Sequence, residues 1–230
     1  MAAATTISTT VLKAVPLFAS LPDEQLRLLV PVVARRSAPR SSTIMAAGDQ
    51  IDSLYIVISG RLKVMMGDSE GKEVILSILG PGEFFGEMGL IDDSPRSASV
   101  VTIEPCELLS ITKRDFKSCL AENLEMSMAV MRGLVRRLRE ADRKIGSLAL
   151  LDVYGRVARL LLDRAENVNG EKIVTKRLPK QDIAKMIGAS REMVSMVMRD
   201  LEQSGYFEVR GSLIVLRDTG APASVPVRRR

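Results

Sequence analysis

Along residues 124–149 the apolar positions recur at alternating steps of four and three: Leu124, Met128, Met131, Val135 and Leu138, then Asp142, then Ile145 and Ala149. The flanking positions carry Arg, Lys and Glu and no Pro interrupts, so the pattern predicts one helix of about seven turns with a coiled-coil seam. Such a seam calls for a second copy of itself, that is, a homodimer. Asp142 is the exception within it, because a parallel two-stranded seam brings two carboxylates face to face across the symmetry axis.

Ahead of that helix the texture is different. Residues 11–36 read as short helices, with Pro22, Asp23 and Glu24 as a start signal and Leu26, Leu29, Val30 and Val33 as an apolar face. From Ser41 onward, short apolar or alternating runs at 54–58, 61–65, 74–78, 97–103 and 108–111 are separated by glycine-rich turns, which predicts an antiparallel barrel or double-sheet roll. Thr112 to Asp115 is a capped helix start. Behind the long helix, Leu151 and Asp152 read as a hinge, with Asp152 capping a helix over 153–165 to which Arg156 and Arg159 give a basic side. A turn at 166–171 and a strand at 172–178 follow. A helix at 180–187, the turn 188–190 and a second helix at 191–203, capped by Ser190 with Val194, Val197, Met198 and Leu201 inward, make a helix-turn-helix. The runs 205–210 and 213–216, joined by Gly211 and Ser212, predict the hairpin of a wing. The fold class is therefore α+β.

Composition narrows the possibilities. With 230 residues and 46% hydrophobic content the chain can bury two small cores. No apolar run reaches the ~18 residues of a membrane span and no basic n-region precedes an apolar stretch, so the expected location is the cytoplasm, with no membrane partner. Cys106 and Cys119 form no CxxC pair and there is no His, which argues against zinc, haem held by a proximal His and His-based triads. No catalytic or metal-ligating residue is expected. Residues 1–125 hold 12 Lys and Arg against 16 Asp and Glu, whereas 126–230 hold 21 against 12. The basic second half points to nucleic acid, and 3% aromatic content disfavours single-strand binding by stacking.

The chemically pointed stretch of the first half is GPGEFFGEMGL at 80–90 followed by RSASV at 96–100. Closely spaced glycines let backbone N–H groups converge on an anion, Arg96 can add a charge-assisted contact to a phosphate, and Glu87 can accept from a sugar hydroxyl. A glycine-cornered turn with a surface Arg is the plainer reading of the same spacing.

FGEMGL at 85–90 with RSASV at 96–100 resembles the phosphate-binding cassette of the cyclic-nucleotide-binding domain, and residues 15–216 as a whole are similar to the CRP/FNR family of transcription regulators. The resemblance implies a cyclic-nucleotide-binding-like β-roll at 11–120 after a disordered tail at 1–10, a dimerisation helix at 121–150, a winged helix-turn-helix at 151–219 and a basic tail at 220–230. It implies backbone contacts from Gly86 and Met88, Glu87 on the ribose 2′-hydroxyl, and Arg96 with Ser97 on the cyclic phosphate. The expected function is a homodimeric DNA-binding regulator controlled by a cyclic nucleotide, with RNA polymerase as a further partner. The acidic turn at 68–73 is similar to a polymerase-touching loop of the family, or is an exposed hairpin turn.

The chain departs from the family's cyclic AMP-responsive members at Ala141 and Asp142, where those carry a Thr-Ser pair on adenine. A carboxylate matches the two donors of the guanine Watson–Crick edge, and Arg139, one turn earlier, can fork onto guanine O6 and N7. Arg139 to Asp142 also fits an RxxD pattern used for cyclic di-GMP, so that ligand is the favoured effector, with cyclic AMP and a ligand-independent dimer as alternatives. An intrahelical Arg139–Asp142 ion pair is the bland reading. Arg35, Arg36 and Arg40 are further candidate arginines for a dinucleotide, or a basic loop. A nucleotide-hydrolysing enzyme using Glu87 or Asp142 is disfavoured, since no carboxylate cluster or His surrounds the cassette.

For a pseudo-palindromic DNA site, helix phase selects Arg191 and Glu192 in the first turn of the second helix, Ser195 and Met196 one turn on, and Arg199 for a phosphate, with Lys180, Gln181 and Ser190 beside them. Arg reads guanine and Glu reads cytosine, each good pair being worth ~1–3 kcal/mol. Met196 stands where many family members carry a guanine-reading Arg. Selection of binding sites from random duplexes is therefore expected to return a TGTGA-like half-site that is relaxed, or shifted towards a thymine methyl, at one base pair; an intact guanine preference there would refute it.

Overall fold

The computed structural model describes residues 7–50, 52–176 and 178–217; the expected basic tail at 220–230 and most of the expected N-terminal tail lie outside them. The chain divides into two compact units, Met1–Glu140 and Ala141–Arg230.

In the first unit, α1 (Thr9–Lys13) and α2 (Asp23–Leu29) precede a 3₁₀ turn, Val30–Val32. Eight strands follow: β1 (Val33–Ala38), β2 (Thr43–Met45), β3 (Ser53–Ser59), β4 (Leu62–Gly67), β5 (Glu73–Leu79), β6 (Phe84–Phe85), β7 (Ser99–Thr102) and β8 (Cys106–Thr112). The short helix α3 (Glu87–Asp92) lies between β6 and β7. Two four-stranded sheets result, β1-β8-β3-β6 and β2-β7-β4-β5, both antiparallel. α4 (Lys113–Glu122) follows, and α5 (Leu124–Leu150) begins in this unit and runs on past its boundary at Glu140. Thr112 caps α4, its Oγ1 accepting from the Asp115 N–H at 3.2 Å.

β3 reads as an unbroken apolar run because both of its faces are covered. Leu54 and Ile56 join a core with Phe18, Leu26, Phe84, Phe116, Met126 and Val130, contributed largely by the helices. Tyr55 and Val57 point the other way, into the roll, with Leu62, Phe85, Val100 and Leu108. β8 is divided likewise, Leu109 and Ile111 to one side and Cys106 and Leu108 to the other.

The second unit holds α6 (Val153–Arg164), β9 (Glu166–Val168), β10 (Glu171–Val174), α7 (Lys180–Ile187), α8 (Arg191–Gln203), β11 (Phe207–Arg210) and β12 (Leu213–Leu216). Asp152 caps α6, its carboxylate accepting from the Gly155 N–H at 2.8 Å. The three helices pack on an antiparallel sheet ordered β11-β12-β10-β9 around Val157, Leu161, Val194, Val197, Phe207 and Ile214. The roll, the long helix and the winged helix-turn-helix thus appear as expected.

Four local expectations fail. The helical reading of 11–36 runs too far, since Val33–Ala38 is strand β1 in register with β8 from Val33↔Ile111 to Ala38↔Cys106. Its four central residues are exposed, so no alternation announces a strand, and pairing with β8 decides it. Arg35 and Arg36 therefore stand on a strand rather than in a basic loop, and Arg40 lies in the turn that follows. Helix α1 begins at Thr9, inside the expected tail, with Ser8 as its cap. The segment 166–171 is a hairpin through Asn169 and Gly170 rather than a plain turn. Finally, the expected strand 172–178 spans only Glu171–Val174.

Candidate nucleotide and DNA interfaces

The cassette is a β6–Gly86–α3 corner. Gly86 has a left-handed backbone, φ 86°, and a Cβ there would meet Arg96 Nη1 at 2.5 Å, so only glycine fits. Arg96 is not the surface residue that a plain turn would give. It is 6% exposed, with Nη1 donating to the Gly86 carbonyl at 2.6 Å and Nη2 donating to the Ser53 carbonyl at 2.5 Å and to Asp52 at 3.4 Å. The guanidinium thereby ties the corner to the start of β3. Ser97 is exposed beside Met88, Oγ to Sδ 3.9 Å, and Met88 itself is 54% exposed on α3.

Glu87 is buried, and a buried carboxylate needs a partner. That partner is Arg137 of α5, which donates to the Glu87 carboxylate and to the Phe84 carbonyl, its guanidinium lying 4.9 Å from the centre of the Phe84 ring. One turn earlier Gly133 lets α5 approach: a Cβ there would stand 2.8 Å from Phe84 Cζ. Sequence reasoning missed Arg137. The available signal was a second stripe on α5, Met126, Val130, Gly133 and Arg137, whose first three members are buried.

The seam residues are turned outward. Leu124, Met131, Val135, Leu138 and Ile145 are 74%, 47%, 49%, 63% and 64% exposed, and Met128 is 38% exposed. Arg139 and Asp142 are exposed among them, and no salt bridge engages either among the described residues.

In the second unit, the α7–α8 turn is held from two sides. Ser190 Oγ accepts from the Met193 N–H at 3.1 Å, capping α8, while Arg156 Nη1 donates to the Ile187 carbonyl at 2.7 Å, closing the end of α7. Arg156 thus departs from its expected place on a basic surface; Arg159 stays exposed and pairs with Asp163 at 3.1 Å. Tyr154 donates to Asp200, tying α6 to α8, and that carboxylate pushes the phenol above its ordinary pKa. With Val194, Val197, Met198 and Leu201 buried, α8 leaves Arg191, Glu192, Met196 and Arg199 exposed and Ser195 half-buried; Ser190, Lys180 and Gln181 are exposed as well. Met193, also exposed in the first turn, escaped the sequence reading.

Residues 35–123 match the family model for the cyclic nucleotide-binding domain and residues 155–221 match that for the Crp-like helix-turn-helix domain. A CRP-like cAMP-activated global transcriptional regulator of Mycobacterium tuberculosis is 35% identical over 185 residues, covering 79% of this chain and 83% of the relative. The chain belongs to the CRP/FNR family of transcription regulators. The Haemophilus influenzae cAMP-activated regulator CRP is 38% identical over 185 residues, with 77% and 81% covered. Among solved structures, the c-di-GMP-responsive global regulator CLP of Xanthomonas campestris superposes with a TM-score of 0.73 at 29% identity, covering 86% of this chain and 100% of that one. Family membership makes the first unit a cyclic-nucleotide-binding module and the second a DNA-binding one, in a regulator of transcription. Among the described residues, no helix is long and apolar enough to cross a membrane.

Removing Arg137 strands the Glu87 carboxylate. Arg137→Gln is expected to lower the urea-unfolding stability of the roll by about 2–3 kcal/mol, less than the ~3–5 kcal/mol of a fully buried pair because Arg137 remains 30% exposed. Adding Glu87→Gln should restore most of it. Unchanged stability in the single variant would contradict the pairing.

Proposed function

We propose that the protein is a homodimeric transcription regulator whose DNA affinity is set by a guanine-containing cyclic nucleotide, with cyclic di-GMP as the preferred effector. The observation that carries the dimer is the exposed apolar seam of α5, a stripe that a solvent-facing helix has no reason to keep. Asp142 within that seam carries the guanine preference. Its free carboxylate offers acceptors to guanine N1–H and N2–H₂, Arg139 offers a fork to O6 and N7, and Ala141 lacks the hydroxyl that adenine recognition uses in the family's cyclic AMP-responsive members. The likeness to a c-di-GMP-responsive regulator supports the same ligand.

Cyclic AMP is the second reading, favoured by the cAMP-activated relatives. In either case Gly86, Glu87, Met88, Arg96 and Ser97 form the phosphate and ribose side, and ligand must share Glu87 with Arg137 or displace it. Control is a population shift: the effector favours one arrangement of two DNA-binding heads whose α8 helices must lie ~34 Å apart to enter successive major grooves. Ligand then changes DNA affinity only as much as DNA changes ligand affinity. Arg191, Glu192, Ser195 and Met196 read bases in a pseudo-palindromic site, and Lys180, Gln181, Ser190 and Arg199 hold the backbone. The acidic turn at 68–73 is the proposed contact to RNA polymerase.

Calorimetric titration of the purified protein with cyclic AMP, cyclic GMP and cyclic di-GMP, repeated with Asp142→Ala, tests the effector. The expected result is tightest binding by a guanine ligand, weakened at least about tenfold by the substitution, the loss of a hydrogen-bonded charge contact being worth about 1.5–3 kcal/mol. Cyclic AMP binding that is tightest and indifferent to Asp142→Ala would overturn it.

A further inference from the structure

The exposed cations of the two helix-turn-helix helices and those of the wing are held differently. Lys180, Arg191 and Arg199 are exposed, and among the described residues no salt bridge engages them. The wing arginines are engaged throughout. Arg210, the last residue of β11 before the Gly211–Ser212 tip, donates to Glu171 of β10 at 3.1 Å and to Glu208, and Arg217, just beyond β12, donates to the same Glu208. Glu208 is consequently held below the ordinary carboxylate range, chiefly by Arg217 and then Arg210.

These four charges lie on the solvent side of the sheet. Glu208 is in register with Val215, and Val215 with Ile173, and those two apolar side chains of the same face are buried at 3% and 7%. Holding the guanidinium heads with two carboxylates adds little stability, because the four groups are between 29% and 59% exposed and surface pairs are worth ~0–1 kcal/mol. What the carboxylates do change is the charge the wing presents to a polyanion. Free Arg210 and Arg217 would each seek a phosphate; neutralised in place, they give the wing no net attraction.

We propose that Glu171 and Glu208 mask the wing arginines from DNA phosphates, competing with the duplex for Arg210 and Arg217 and so keeping sequence-independent affinity low. Positive charge stays where bases are read, on α8 and at the start of α7, and is cancelled on the hairpin that would otherwise clamp any duplex. The specificity ratio, which sets how well a regulator finds its site among competing ones, rises as a result.

Every phosphate newly paired with a cation releases counterions and steepens the dependence of log K on log salt concentration by ~0.9. The test is fluorescence anisotropy of the full chain on a duplex of unrelated sequence, over a salt series, for the wild type, Glu208→Gln, Glu171→Gln and Glu166→Gln. Glu166 lies on β9, at the other edge of the sheet, and its variant reports the effect of net charge alone. Glu208→Gln is expected to bind about three- to tenfold tighter at low salt, with a slope steeper by about one to two, and Glu171→Gln to act in the same direction. Both should exceed Glu166→Gln. Adding Arg210→Ala and Arg217→Ala to Glu208→Gln should abolish the tighter binding. Equal effects of Glu208→Gln and Glu166→Gln, or tighter binding that survives removal of both arginines, would overturn the proposal.

Discussion

Residues 124–138 of α5 have to satisfy two neighbours at once. At 3.6 residues per turn, Met126, Val130, Gly133 and Arg137 fall on one side and Leu124, Met128, Met131, Val135 and Leu138 about 150° away. The first side is spent within the chain: it completes the core around Phe84 and Phe116 and brings Arg137 onto Glu87. The second is left apolar and exposed. A helix with an apolar seam on one side and, on the other, an apolar side whose one charge, Arg137, is paired within the chain, with Glu125, Arg132 and Arg136 in one strip between them, packs on its own roll and still has a surface to give a second copy.

That geometry places the cassette's charges. Glu87 and Arg96 are both buried, which is tolerable only because each is met by complementary groups, Glu87 by a guanidinium and Arg96 by two carbonyls. Gly86 makes the second possible by leaving room for Nη1, and Gly133 makes the first possible by admitting Phe84 against the helix backbone. The corner, the roll and the helix are thus one electrostatic assembly. Its charges are already paired within the chain, so any polar group that binds there has to exchange partners with them.

Much of this was legible in the sequence. Periodicity gave the long helix to within a residue, because charge and apolar positions alternate cleanly there, and Thr112, Asp152 and Ser190 announced their helices through cap chemistry that is local by nature. The strand β1 was not legible: its outward residues are all exposed, and only pairing with β8 makes it a strand. Arg137 and Arg156 were missed, or assigned to the surface, for a related reason. An arginine in a basic helix looks solvated until the fold brings a buried carboxylate or an open helix end within its reach, and neither Glu87, fifty residues away, nor the Ile187 carbonyl leaves a mark on the local pattern. The wing network is similar, since Glu171 and Arg210 meet only because β12 lies between their strands.

The outward stripe of α5 needs a cover, and the cover proposed for it is another copy of the chain. Sedimentation equilibrium at micromolar concentration measures it directly, on the wild type and on Val135→Glu, which sets a charge in the middle of the seam on the side away from the roll. The wild type is expected to give the mass of two chains and the variant the mass of one, with the far-ultraviolet circular dichroism unchanged. A single-chain mass for the wild type, or a dimer indifferent to the glutamate, would contradict it.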